Sequence, residues 1–195
     1  MDLEKLIQVT AYVLKKYKGQ LNYTKLIKIL YLADRKAMAE SGSSISGDDY
    51  ASMKDGPVLS GLYALIKNRY PDRPGQYYWN SKFQTDGYDI HDAGSFIPEG
   101  KLSEFETELL DAVDAQFHSI TSSQIIDYVH DSQNCPEWKD TQSCIPLPKS
   151  DILKNLGFSD EEIECILEED QMYKAEDDLL ESLNDPVPDR EICYG

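Results

Sequence analysis

The chain has 195 residues, 41% of them hydrophobic, enough for one folded domain that buries about 70% of its unfolded surface. Its formal net charge is −17, and the imbalance is local: residues 1–100 sum to +1 and residues 101–195 to −18. Such a chain lacks the basic stripe that tracks a phosphate backbone, so direct nucleic-acid binding is disfavoured and an acidic half facing a basic protein partner is favoured.

Leu3, Leu6, Ile7, Val13, Leu14 and Tyr17 recur at helical spacing, with Lys15, Lys16 and Lys18 where cations suit the helix dipole and Gly19 as a stop. From Asn22, a capping residue, to about Glu40, the run Leu26, Ile27, Ile29, Leu30, Tyr31, Leu32 and Ala33 leaves almost no polar face. That pattern predicts a central helix packed on several sides. Lys25 and Lys28 are the odd residues on it; their stems can cover apolar surface while the ammonium groups reach water. Residues 43–54 have turn chemistry with short extended pieces. Gly56-Pro57 is read as opening a third helix, with Pro57 at the first helical position and Val58, Leu59, Leu62, Leu65 and Ile66 as the buried stripe, ending near Pro71. From Gln76 to Ile90 the Tyr, Trp, Phe and Thr content predicts a β element, and Asp86-Gly87 marks a hairpin.

Ser103 with Glu106 forms a capping box ahead of a helix over about 103–118, and Thr121 or Ser122 starts a short one through Ile125, Ile126 and Val129. Pro136, Pro146 and Pro148 predict irregular chain over 132–149. A short helix at 151–156 closes on Gly157. Ser159 and Glu162 form another box, ahead of an amphipathic helix marked by Ile163, Ile166, Leu167, Tyr173, Leu180 and Leu183, with an interruption expected near Lys174. Residues 158–195 hold 14 acidic and 2 basic residues, and residues 168–195 also suit a plain solubilising tail. The fold class is mainly α: a compact helical domain around a central apolar helix, with a small β hairpin insert and an acidic C-terminal helix. Residues 1–150 read as the helical domain and 151–195 as its acidic extension.

Cys135, Cys144, Cys165 and Cys193 contain no C-x-x-C pair and imply no disulfide framework. The N-terminus has no signal-peptide pattern, and no apolar run reaches the roughly 18 residues of a membrane span, so a soluble cytoplasmic protein is expected. His91, His118 and His130 lack the spacing that holds zinc on a helix face, and nucleophile-elbow and P-loop patterns are absent. Runs such as Glu161-Glu162 and Glu168-Glu169-Asp170 read as solvated faces. Neither an enzyme nor a cofactor is expected.

Two segments are more specific than generic core. One is Lys25-Leu26-Ile27-Lys28-Ile29-Leu30-Tyr31 with the later Gly56-Pro57-Val58; the other is His130 with Pro136-Glu137-Trp138. Together with Leu102-Ser103-Glu104-Phe105-Glu106 they resemble the Panacea domain family, the phage GepA-like proteins, over residues 3–145. Ile29 stands where that pattern has leucine, Asp55 where an aromatic is common, and Glu137 splits the Pro-Trp pair. The resemblance implies a mostly helical fold with a small hairpin, and an antitoxin of a toxin–antitoxin module, often carried on prophages, that neutralises a cognate protein toxin by direct binding. It places a binding surface at Lys25, Lys28, Tyr31, Asp55, Gly56, Pro57, His130 and Trp138. The acidic composition adds Glu161, Glu164 and Glu168 as contacts to a basic toxin face. Three other functions compete: an adaptor that delivers a partner to a protease, an enzyme with a pocket around Tyr31, Asp34, Asp55 and His130, and, weakest, a DNA-binding repressor, since no basic recognition helix is visible.

Overall fold

The computed structural model describes residues 2–184; residues 185–195, with Cys193 and the end of the acidic segment, lie outside the described residues. The chain divides into two units, Met1–Phe158 and Ser159–Gly195. The first is mainly helical with two small antiparallel sheets.

Asp2 caps α1 (Leu3–Lys16), accepting from the Lys5 N–H. After β1 (Gln20–Asn22) the Asn22 side chain accepts from the N–H groups of Thr24 and Lys25 and starts α2 (Tyr23–Ser41), which ends on Gly42 in the left-handed conformation. Thirteen residues of α2 are buried, among them Leu26, Leu30 and Ala33 at 1% exposure or less. It packs on α5 (Glu104–Phe117), α6 (Ser122–His130) and α7 (Lys149–Leu156).

Beyond α2, β2 (Tyr50–Met53) turns through Lys54-Asp55 into β3 (Gly56–Leu59), and α3 begins only at Ser60 (Ser60–Ile66). The expected helix start at Gly56-Pro57 is therefore corrected to a strand. Pro57 is tolerated there because β3 is an edge strand, in a sheet ordered β3-β2-β6. The edge strand β6 (Ile145–Leu147) lies inside the stretch expected to be irregular. A carboxylate from elsewhere starts α3: Asp48 accepts from the N–H groups of Gly61 and Leu62, while the N-cap residue Leu59 offers no side-chain bond.

Residues 76–82, expected as β from their aromatic content, belong to helix α4 (Pro74–Lys82), with Pro74 in its first turn. Gln76 anchors it by donating to the Leu65 carbonyl, and Trp79 packs on Phe83 with ring centroids 4.6 Å apart. The hairpin marked by Asp86-Gly87 is present as β4 (Phe83–Asp86) and β5 (Asp89–Asp92), paired in register from Asp86↔Asp89 to Phe83↔Asp92. It is part of a sheet rather than a lone insert, because β1 pairs with β5.

The capping boxes at Ser103/Glu106 and Thr121/Gln124 start α5 and α6, and Gly157 closes α7 with φ +98. In the second unit Ser159 and Glu162 exchange side-chain and backbone hydrogen bonds at the start of α8 (Asp160–Asn184), which runs through Lys174, so the expected interruption there is corrected.

Candidate functional site

Lys28, Tyr31 and Arg35 stand at i, i+3 and i+7 on α2, so the helical period sets them on one face. Opposite that face runs the chain that leaves α6, bringing Cys135, Glu137 and Trp138. Glu137, 2% exposed, accepts from the Tyr31 hydroxyl at 2.5 Å and from the Arg35 guanidinium through Nε at 2.7 Å and a terminal nitrogen at 3.3 Å. A fork of this kind is the strong form of a buried ion pair, because both carboxylate oxygens are met. Burial first, then the Glu137 charge, pushes the Tyr31 phenol well above its ordinary value, so it remains a hydrogen-bond donor. Burial pushes the Cys135 thiol up to about 12, which keeps it protonated and unreactive at neutral pH.

Lys28 is 1% exposed and its Nζ donates to the Pro57 carbonyl at 2.7 Å, tying α2 to β3. Burial pushes its ammonium down to about 7, partly offset by the charge of Asp55. Lys25 is 5% exposed; it donates to the carbonyls of His118 at 2.7 Å and Ile120 at 2.8 Å, where α5 ends and its last C=O groups lack helical partners. Both ammonium groups are thus inside the protein, and the expectation that they reach water is corrected: distant carbonyls supply what solvent would have.

Gly56 makes this approach possible. Its φ is +99, and a Cβ there would lie 2.6 Å from Val129 Cγ2 and 3.2 Å from both Cε and Nζ of Lys28. Trp138 donates from Nε1 to the Met53 carbonyl at 3.0 Å, and Met53 pairs with Gly56 across the turn. The Trp138 ring stacks on His130, with centroids 4.0 Å apart and planes at 5°. Lys28, Tyr31, Gly56, Pro57, His130 and Trp138 are thereby linked through one network around the β2–β3 turn. Asp55 is exposed on that turn, whereas Lys25 belongs to the separate contact with the end of α5.

Asp34, on the same helix, is turned to another task. Its carboxylate accepts from the N–H groups of Ile45 and Ser46 at 2.9 Å each, from the Ser46 hydroxyl, and from Tyr50 at 2.9 Å. These bonds shape the chain into β2. Burial nevertheless outweighs them and raises its carboxyl to about 6. The four side chains considered for catalysis therefore have separate occupations: Tyr31 on Glu137, Asp34 on the 45–50 segment, His130 on Trp138, and Asp55 in solvent. Glu137 and Arg35 escaped the sequence reading. The signal was present in the spacing of 28, 31 and 35, but a single buried carboxylate 100 residues on cannot be matched to it from the sequence.

The cleft beside Lys28 has a volume of about 120 Å3 and is walled by Tyr23, Tyr63 and Tyr88, with Lys54 and Asp55 at its rim. A larger cavity of about 790 Å3, bordered by Tyr12, Lys15, Pro98 and Glu99, includes no residue of α2. Among the described residues no three His, Cys, Asp or Glu side chains are grouped to hold a metal ion, and no helix is long and apolar enough to cross a membrane. In the second unit Glu161, Glu164 and Glu168, at i, i+3 and i+7, are exposed on α8.

The family model described as Antitoxin SocA-like, Panacea domain, matches residues 26–139, more than half of the chain. The chain belongs to this family. The matched span opens inside α2 and closes just after Trp138, so it encloses Lys28, Tyr31, Arg35, the β2–β3 turn, His130 and Glu137, and leaves out α1, α7 and α8. The network thus draws on the two ends of the Panacea span, α2 with the β2–β3 turn and the chain from His130 to Trp138. No curated protein and no solved structure matches the chain.

Proposed function

We propose that this Panacea protein is an antitoxin that neutralises a cognate protein toxin by direct binding. The observation that carries this reading is the antitoxin-like family match over residues 26–139, which coincides with the α2–turn–Trp138 network. Most of the motif side chains in that span hold the framework: Lys28 and Trp138 bind backbone carbonyls and Tyr31 binds a buried carboxylate. Their work is to fix a surface, which is what neutralisation by contact needs.

The acidic helix supplies the second part of the proposal. Between Asp160 and Asn184 α8 carries eleven acidic residues and one lysine. A face of that composition, with Glu161, Glu164 and Glu168 exposed, complements a toxin whose contacting side is basic and speeds encounter with it.

Co-expression with the neighbouring reading frame tests the proposal. Growth should be rescued while the toxin persists at an unchanged level and purifies with this chain. Rescue accompanied by disappearance of the toxin would instead mark delivery to a protease.

A further inference from the structure

Lys28 is buried more completely than its hydrogen bonding justifies. An ammonium has three donors, and its bond to the Pro57 carbonyl uses one. No carboxylate of the described residues lies within ion-pair distance of it, and the more distant charge of Asp55 offsets only part of the cost of burying the ammonium. The same side chain lines the 120 Å3 cleft, a space for a few waters or one carboxylate head. Two of its aromatic walls carry cations. Lys67 lies 4.1 Å over the Tyr23 ring and donates to its hydroxyl, and Arg69 lies 5.1 Å over the Tyr63 ring. Asp55, at the rim, is exposed and so hydrated.

We propose that the cleft floored by Lys28 and walled by Tyr23, Tyr63 and Tyr88 seats one acidic side chain of the toxin. This rests on the reading of the chain as an antitoxin that binds its toxin directly. The toxin would then meet the chain with two polarities, basic toward α8 and one carboxylate toward Lys28.

The test compares full-length wild type, Lys28→Met and Asp55→Asn for affinity to the purified toxin. Methionine keeps the stem and removes the charge, so Lys28→Met should fold, melt no lower than wild type, and bind about tenfold or more weakly. At pH 6, below the Lys28 value, where its ammonium is charged, Asp55→Asn removes a rim anion from an exposed position and should bind about two- to threefold more tightly. A Lys28→Met protein that folds and binds with unchanged affinity, whether or not it melts lower, would reveal a lysine that only holds Pro57, and overturns the proposal. Tighter binding by Lys28→Met overturns it too, since the cleft would then be holding the chain's own acidic segment. If that variant does not fold, unchanged or weaker binding by Asp55→Asn at pH 6 is sufficient to overturn it. Inorganic phosphate that raises the Lys28 titration midpoint, with normal toxin binding by Lys28→Met, would identify a phosphate seat instead and reject the toxin carboxylate. Wild type that does not bind the toxin at all removes the antitoxin reading itself, and with it the occupant proposed here.

Discussion

Gly56 and Lys28 need each other. The left-handed backbone at Gly56 and the absence of a Cβ let Lys28 and Val129 close on the β2–β3 turn. Gly56→Ala adds both backbone strain and a contact too short to keep, so it should cost upwards of about 2 kcal/mol in denaturant unfolding. Lys28 makes a pH prediction with a definite sign. Its folded value is about 7 against 10.5 when unfolded, so above pH 7 the unfolded chain holds a proton that the folded chain has lost. The lysine's contribution to stability should therefore rise as pH increases from 7 toward 10.5, and the penalty should be full below 7. The stability difference between wild type and Lys28→Met isolates this from the burial-raised thiol of Cys135, which acts in the opposite direction above pH 9. A difference that stays flat between pH 7 and 9 would contradict the buried ammonium. Asp34 acts on the acid side with the other sign: its raised carboxyl makes stability fall as pH rises from 3.8 to about 6.

At the scale of elements, the Glu137 carboxylate binds the chain after α6 to α2 through Tyr31 and Arg35. Glu137→Ala leaves a partly buried guanidinium without its partner and should cost about 3–5 kcal/mol, whereas Arg35→Ala in the same background should add little. Additive losses in that double-mutant cycle would show that the two side chains act separately. What was legible in the sequence follows from range. The caps at Asn22, Ser103, Thr121 and Ser159 and the turn at Gly87 were legible because each depends on residues two to four apart. The strand at Gly56–Leu59 was not, since a Gly-Pro pair suits a helix start equally well until the partner strand Tyr50–Met53 is known. The helix at Pro74–Lys82 was hidden because Tyr77, Tyr78 and Trp79 have β propensity that a tertiary anchor, Gln76 on the Leu65 carbonyl, overrides. The candidate site was legible in part. Lys28, Tyr31, Gly56 and Trp138 stood out by residue type, but their true partners lie 29 to 106 residues away.

At the scale of the whole molecule, the charge is carried largely by the second unit and the buried network by the first. If the acidic face steers association, replacing Glu161, Glu164 and Glu168 by Gln should slow toxin binding more than it speeds dissociation. Wild-type association should also slow with added salt, since the screening length is about 8 Å at physiological ionic strength. Folding should be unaffected, because exposed charges contribute little to stability. Leu30→Ala, in the buried face of α2, should instead lose about 2–5 kcal/mol of stability and fail by unfolding. The most direct test mixes the purified full-length chain with its purified toxin, with no protease present, and follows toxin activity as the chain is titrated in. Neutralisation by direct binding predicts inhibition that saturates at a fixed molar ratio as a stable complex forms. Full toxin activity in the presence of excess folded chain would contradict it.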